Sequence, residues 1–451
     1  MAFNLRRMSG AMDTSRLTHH RNDLILDPWL DSRDPASLTF GLLYLLTILL
    51  YVDPKELLPV MGRFPVAGIV AIIAPLTYAY GQFKLRRPII AWTLEVRMVF
   101  VLLSLAVIFT PIAASWADSV NALQSLFIKS ALILILVTGL IQTRARLRSI
   151  IRLSVICGTV PAILAIRNYA TGARLADVAQ GIFSNPNDLA LTLNLMIPLA
   201  VTMARISAKC ARQFYIACAL TMAAGVIMTF SRAGFITLVA LSAVMIWKFG
   251  SGKRSRSSLA AMTAPIVLII FLSGAYHTRL RSLLDQNNGA SGSAQQRSEA
   301  LKLGINLATR HSIIGLGMGN FQIHSVPESE GASIGEKAAH NAYLEISAEL
   351  SAIGLIAYLI LILAPLLGLS PIERETRTIS ARKDLDARAL SVGLQATLIG
   401  YLINSFFISC QYQWHIYFAA GLAVAWKKIY ATERSYVTAE KLCRLDCQRS
   451  Y

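Results

Sequence analysis

Mostly apolar stretches of about 16 to 25 residues recur along almost the whole chain, and they leave few ways for it to fold. They lie near 38 to 52, 64 to 80, 98 to 116, 122 to 141, 149 to 166, 188 to 204, 213 to 230, 233 to 247, 258 to 276, 341 to 369, 389 to 410 and 412 to 426. A hydrocarbon core of roughly 30 Å is crossed by about 20 helical residues, and only helices or closed barrels satisfy their backbone groups there. The chain is therefore predicted to be all-α, a polytopic membrane helix bundle of about 12 transmembrane helices. The first two runs and the last are short for a crossing.

Charge gives this bundle a direction. Short loops rich in Lys and Arg stay cytoplasmic. With the N-terminus inside, the inner segments hold 31 of the 43 Lys and Arg residues and the outer ones 11, and Lys129 falls within a helix. In a soluble protein a net charge of +18 and a pI near 9.9 would point to nucleic acid. Here the basic residues record insertion and attraction to anionic lipid on the cytoplasmic face, so membrane lipid is an expected partner and nucleic acid is not. The polar first 35 residues are too long before the first apolar run for a cleaved signal peptide, so the first helix is expected to be retained.

The expected organisation is a cytoplasmic tail at 1–37, nine transmembrane helices over 38–276, one long, partly helical periplasmic loop at 277–340, three more helices over 341–426, and a cytoplasmic tail at 427–451. Cys157, Cys210, Cys218 and Cys410 lie in or beside helices and Cys443 and Cys447 in the last tail, a pattern that implies no disulfide. No His or Cys cluster has metal-ligand spacing, and no Gly-rich phosphate loop is evident, so neither metal nor cofactor is expected.

The outer face carries the unusual residues. Arg232, in the turn Phe230-Ser231-Arg232-Ala233-Gly234, is a cation outside the membrane and points to an anionic lipid-linked ligand. In the long loop, periodicity predicts a helix from Gln295 to Thr309, with Ala300, Leu301, Gly304, Ile305, Leu307 and Ala308 on one arc and Arg297 near its middle. A cation there either snorkels to lipid headgroups or serves a site beneath the loop. Gly315-Leu316-Gly317-Met318-Gly319-Asn320-Phe321 resembles a phosphate-cradling turn, but no strand precedes it and no Lys follows, so it reads as a plain flexible turn.

His340 stands at the start of a long apolar helix, where it either takes a proton from a reacting hydroxyl or merely caps the helix. Asn341, Glu345 and Glu349 recur every four residues on one face below it. At 1.5 Å per residue Glu349 lies about 12 Å down a straight helix, at a depth comparable with Lys129. The two are expected to face the bundle interior and to form a structural ion pair. A second outer connection holds Arg174, Asn185, Asn187 and Asp188; Asp188 is a candidate N-cap, and these groups are candidate contacts to a sugar or phosphate.

The order of these pieces resembles the O-antigen ligase and Wzy-type polysaccharide polymerase superfamily over roughly Gly181 to Leu369. The resemblance is carried by Phe183-Ser184-Asn185-Pro186-Asn187-Asp188-Leu189-Ala190, Ser231-Arg232-Ala233-Gly234, Arg297-Ser298-Glu299, His311-Ser312-Ile313-Ile314-Gly315-Leu316-Gly317, Gly319-Asn320-Phe321 and Ala339-His340-Asn341-Ala342-Tyr343-Leu344. Ala300 and Leu301 stand where many members have an aromatic residue, and Ser312 where Pro is common. The resemblance implies a GT-C-like membrane fold in the bacterial inner membrane. It implies a metal-independent, inverting glycosyltransferase that moves glycan from a polyprenyl-diphosphate-linked oligosaccharide to a glycan or lipid-anchored acceptor at the outer face. Arg232 and Arg297 would bind the diphosphate, and His340 would assist the acceptor. A transporter or flippase of the same lipid is the alternative class; it would be expected to show paired halves or a charged central path.

Overall fold

A computed structural model describes residues 35–52, 66–171, 185–249, 290–325, 339–377 and 382–449. The chain is an all-α bundle built from α1 (Pro35–Tyr51), α2 (Val66–Lys84), α3 (Leu94–Phe109), α4 (Trp116–Ala122), α5 (Lys129–Leu140), α6 (Arg144–Ala170), α7 (Pro186–Ile206), α8 (Lys209–Met228) and α9 (Arg232–Phe249). There follow α10 (Ala290–Arg310), α11 (Ala342–Gly368), α12 (Ser370–Glu375), α13 (Arg382–Asn404) and α14 (Trp414–Arg449). A π-helical turn, Leu123–Ile128, joins α4 to α5. Eight helical segments among the described residues are long and apolar enough to cross a membrane. Each expected apolar run coincides with a helix except the ninth, 258 to 276, which lies outside the described residues.

The helix α7 is the hub. It packs on α6, α8, α9 and α13, and all its residues from Leu189 to Ala204 are buried. Between helices in lipid the apolar driving force is small, so close approach of small residues carries the packing. A Cβ built on Gly234 would lie 2.4 Å from the Cβ of Ala190, so α9 meets α7 at the minimum separation that glycine permits. Asn194 Nδ2 also donates to the Gly234 carbonyl at 2.9 Å. Gly234→Ala should therefore lower stability by about 1–3 kcal/mol through overpacking. Thermal unfolding in detergent checks this, and an unchanged midpoint would show that the helices yield there.

The bundle has two chemically different ends. Ion pairs among the described residues gather at one: Lys248–Glu373 (2.7 Å), Arg148–Asp386 (2.8 Å), Arg144–Glu433 (2.6 Å), Lys427–Glu95 (3.2 Å) and Arg434–Glu375. These are the segments in which the sequence concentrates its Lys and Arg. The N-termini of α7, α9, α11 and α14 lie at the other end, where polar contacts are hydrogen bonds to caps, amides and carboxylates.

The helix α11 departs from the straight rod expected of its sequence. Ser351 has φ 69° and ψ 177°, which breaks the helix. Tyr343 and Tyr358 would be about 22 Å apart along an unbroken helix, yet their rings lie 6.2 Å apart. The first half of α11 therefore folds sharply against the second. The amphipathic helix α10 lies on α11, with Ala300, Gly304 and Leu307 buried. Leu301 and Ile305, expected on the same buried arc, are exposed, so the packed stripe is narrower than the apolar one.

Candidate active site

Two helix starts are tied together at the end remote from the ion pairs. Asn185 caps α7, its Oδ1 accepting from the Asn187 amide at 2.9 Å, and Pro186 follows where a missing N–H costs nothing. Asn185, not Asp188, is thus the N-cap; Asp188 stands in the first turn, where a carboxylate suits the positive end of the helix. At α9 the backbone turns through Phe230 (φ 55°), and Ser231 Oγ accepts from the Gly234 amide at 3.0 Å. Its hydroxyl donates to Asn187 Oδ1 at 2.7 Å. Asn187, Asp188 and Arg232 are therefore neighbours, brought together from two separate motifs.

Arg232 is exposed at the first position of α9 and makes no ion pair with any described carboxylate. A cation at a helix N-terminus opposes the helix dipole and costs about 0.3–1 kcal/mol. Helix stability does not explain this arginine.

The second half of the site surrounds the start of α11. Asn341 Oδ1 accepts from the Tyr343 and Leu344 amides at 3.0 and 3.1 Å, an N-cap that fixes the entry of the helix. His340 precedes it, exposed and with φ 49°, a left-handed conformation rare outside glycine. The Ala339 amide donates to Glu345 Oε1 at 3.0 Å, and the Ala342 amide to the Ser405 carbonyl at 2.9 Å. His340 is thus clamped on both sides.

Both glutamates are buried. Ser409 Oγ donates to Glu345 Oε1, and Gln411 Nε2 to Oε2 at 2.8 Å. Glu349 accepts from the Tyr412 hydroxyl at 2.6 Å and the Phe321 amide at 3.1 Å. The expected Lys129–Glu349 pair is not formed. In α5, Ser130 Oγ donates to the Tyr412 carbonyl at 2.8 Å and Phe127 packs on the Tyr412 ring, whereas Lys129 is exposed on another face. The turn chemistry of 405–413, rather than a cation, satisfies the carboxylate.

The glycine-rich segment is neither a phosphate cradle nor a loose turn. Leu316 and Gly317 amides donate to the Ala348 and Glu349 carbonyls at 2.9 and 3.1 Å, and the Ala352 amide donates to the Ser312 carbonyl at 2.9 Å. These bonds fill the positions left open by the break at Ser351. Asn320, fully buried, accepts from the Ser115 amide at 2.7 Å and donates to Ser119 Oγ at 2.7 Å, which ties the segment to α4.

One connection reaches both halves. Between α13 and α14, Ser409, Gln411 and Tyr412 hold the glutamates and Gln413 Nε2 makes a longer contact of 3.4 Å to Asp188, and in the first turn of α14 His415 Nε2 lies 2.8 Å from Thr192 Oγ1 on α7. Sequence reasoning read this stretch as the ends of two apolar runs and missed it; the polar alternation Ser409, Gln411, Gln413, His415 was the available signal. Arg297 lies in α10, three residues before Ala300 and seven before Gly304 in the stripe packed on α11; its side chain lies outside the described residues, as does Arg174 altogether.

No curated protein matches the chain. A family model described as O-antigen ligase matches residues 217–362, from within α8 to within α11. That stretch contains Arg232, Arg297, the glycine-rich turn, His340 and both glutamates, and it is over these residues that the chain is similar to the O-antigen ligase family.

Proposed function

We propose that this protein is an inverting glycosyltransferase of the bacterial inner membrane, moving glycan from a polyprenyl diphosphate to an acceptor hydroxyl at the outer face. Both termini are then cytoplasmic and the segment around α10 is periplasmic. The acceptor oxygen attacks the anomeric carbon as the bond from that carbon to the diphosphate oxygen breaks. His340 takes the hydroxyl proton, and Arg232 with Arg297 stabilises the charge growing on the departing diphosphate. A diphosphate is already a good leaving group, so guanidinium forks suffice as its electrophilic partner without a metal ion.

The observation that carries this reading is Arg232, an exposed cation at a helix N-terminus beside Asn187 and Asp188, at the bundle end remote from the ion pairs. Asn185 and Asn341 shape the backbone as caps and Asn187 accepts from Ser231, whereas Asp188, with Gln413 on its Oδ1, keeps its second carboxylate oxygen to meet a sugar hydroxyl. Ligase and polymerase differ in the acceptor, and the products of a deletion strain distinguish them. A polymerase is expected to leave single repeat units where a ladder had been. A ligase is expected to leave full-length polymer accumulating on polyprenyl diphosphate. Unaltered envelope glycan in both respects would remove the reading.

A further inference from the structure

Lys129 marks a site that the transfer reaction does not use. It follows directly on the π-helical turn Leu123–Ile128, within the membrane-crossing segment Trp116–Leu140. A π-turn shifts helix register and is frequent at functional positions. Here Phe127 and Ser130 meet Tyr412, while Lys129 borders a groove of about 130 Å³ between α1, α2 and α5. The groove is walled by Leu49, Leu50, Leu132 and Leu136, and kept open by Ala67 and Gly68. A dry cavity of about 150 Å³ admits a benzene-sized body, so this one takes a few methylenes of a hydrocarbon chain.

The lysine has no hydrogen bond or ion pair to a described residue. A lysine in apolar surroundings within a bilayer costs roughly 2.5–3.5 kcal/mol or more unless its charge is met. Leu49 and Leu50 are at the last turn of α1, and Ala67 and Gly68 at the first turn of α2. The groove therefore opens near the membrane surface on the side of Arg232, within reach of a snorkelling ammonium. It is nevertheless separate from the diphosphate reading, because α9, which carries Arg232, packs on α7, α8 and α13.

We propose that this groove binds one acyl chain of an anionic glycerophospholipid, with the lipid phosphate paired to the Lys129 ammonium. A single ammonium matches the single charge of a phosphodiester, and the unbranched chain matches a narrow leucine-walled slot.

The test compares wild type, Lys129→Arg and Lys129→Met, purified in mild detergent and checked for monodispersity. Bound lipid phosphorus is measured by native mass spectrometry, and the unfolding midpoint is followed as phosphatidylglycerol or zwitterionic phosphatidylcholine is added. Wild type and Lys129→Arg are expected to retain the lipid and to be stabilised by phosphatidylglycerol alone. Lys129→Met, folded because methionine suits the slot, is expected to retain about 5- to 10-fold less, the equivalent of roughly 1 kcal/mol for one charge near a lipid surface. Equal retention by wild type and Lys129→Met would overturn the proposal, as would displacement of phosphatidylglycerol by equimolar polyprenyl phosphate. Asp53 and Glu56, which lie outside the described residues, supply a second variant. Asp53→Asn/Glu56→Gln is expected to leave retention unchanged; a rise would show that one of these carboxylates, not a lipid, meets Lys129.

Discussion

Arg232→Ala is expected to lower kcat for glycan transfer by about 10²–10³-fold, the loss that follows removal of one preorganised donor to a developing anion. Arg232 is the first residue of α9, where the backbone is held in place by the Ser231 cap and its bond to Asn187. Removing the cation relieves its repulsion from the helix dipole, so the unfolding midpoint should be unchanged or slightly higher. That pairing of results separates catalysis from folding: a structural arginine would lower both. Arg232→Lys should restore only part of the rate, because a point charge cannot present the planar fork of a guanidinium to a diphosphate. Initial rates of polyprenyl diphosphate release check the two rate expectations, and thermal unfolding in detergent checks the midpoint.

Gly315→Ala should have the largest structural effect. A Cβ at this position would sit 2.1 Å from the Glu349 carbonyl oxygen, and the neighbouring atoms are backbone, which cannot swing aside. The segment has to withdraw from α11, losing the Leu316 and Gly317 hydrogen bonds to Ala348 and Glu349. Each buried carbonyl left without a donor costs about 1–3 kcal/mol. Withdrawal also pulls the Phe321 amide from the Glu349 carboxylate. Faster hydrogen exchange over residues 312–321, a lower unfolding midpoint and loss of transfer are expected together. Exchange indistinguishable from wild type would mean that the break at Ser351 does not depend on this segment.

The bundle was legible because bilayer thickness acts on composition, which a single sequence displays. At α11 the cap is Asn341, one residue beyond the His340 that the sequence offered for that role. At α7 the same chemistry was read three residues late, because Asn-Pro-Asn-Asp offers several oxygens and only the fold selects Asn185. The break in α11 was not legible: Ala348 to Ala352 reads as an unbroken helix apart from two polar residues, and the donors that fill the gap come from residues 316 and 317. The same cause hid the partner of Glu349. Charge alone nominated Lys129, whereas Tyr412 and a backbone amide hold the carboxylate, and neither is marked by charge or by nearness in sequence. The neighbourhood of Asn187 and Arg232 likewise comes from packing of α7 on α9 through Ala190 and Gly234.

The most direct measurement is transfer by purified protein in liposomes supplied with a polyprenyl-diphosphate oligosaccharide pool, following glycan size and polyprenyl diphosphate release for wild type, Arg232→Ala and His340→Ala. Release by wild type that is lost in both variants, with all three proteins equally folded, is the result expected of a glycosyltransferase that uses Arg232 on the leaving group and His340 on the acceptor. Undiminished release in the variants, or lipid translocation without release by the wild type, would contradict it.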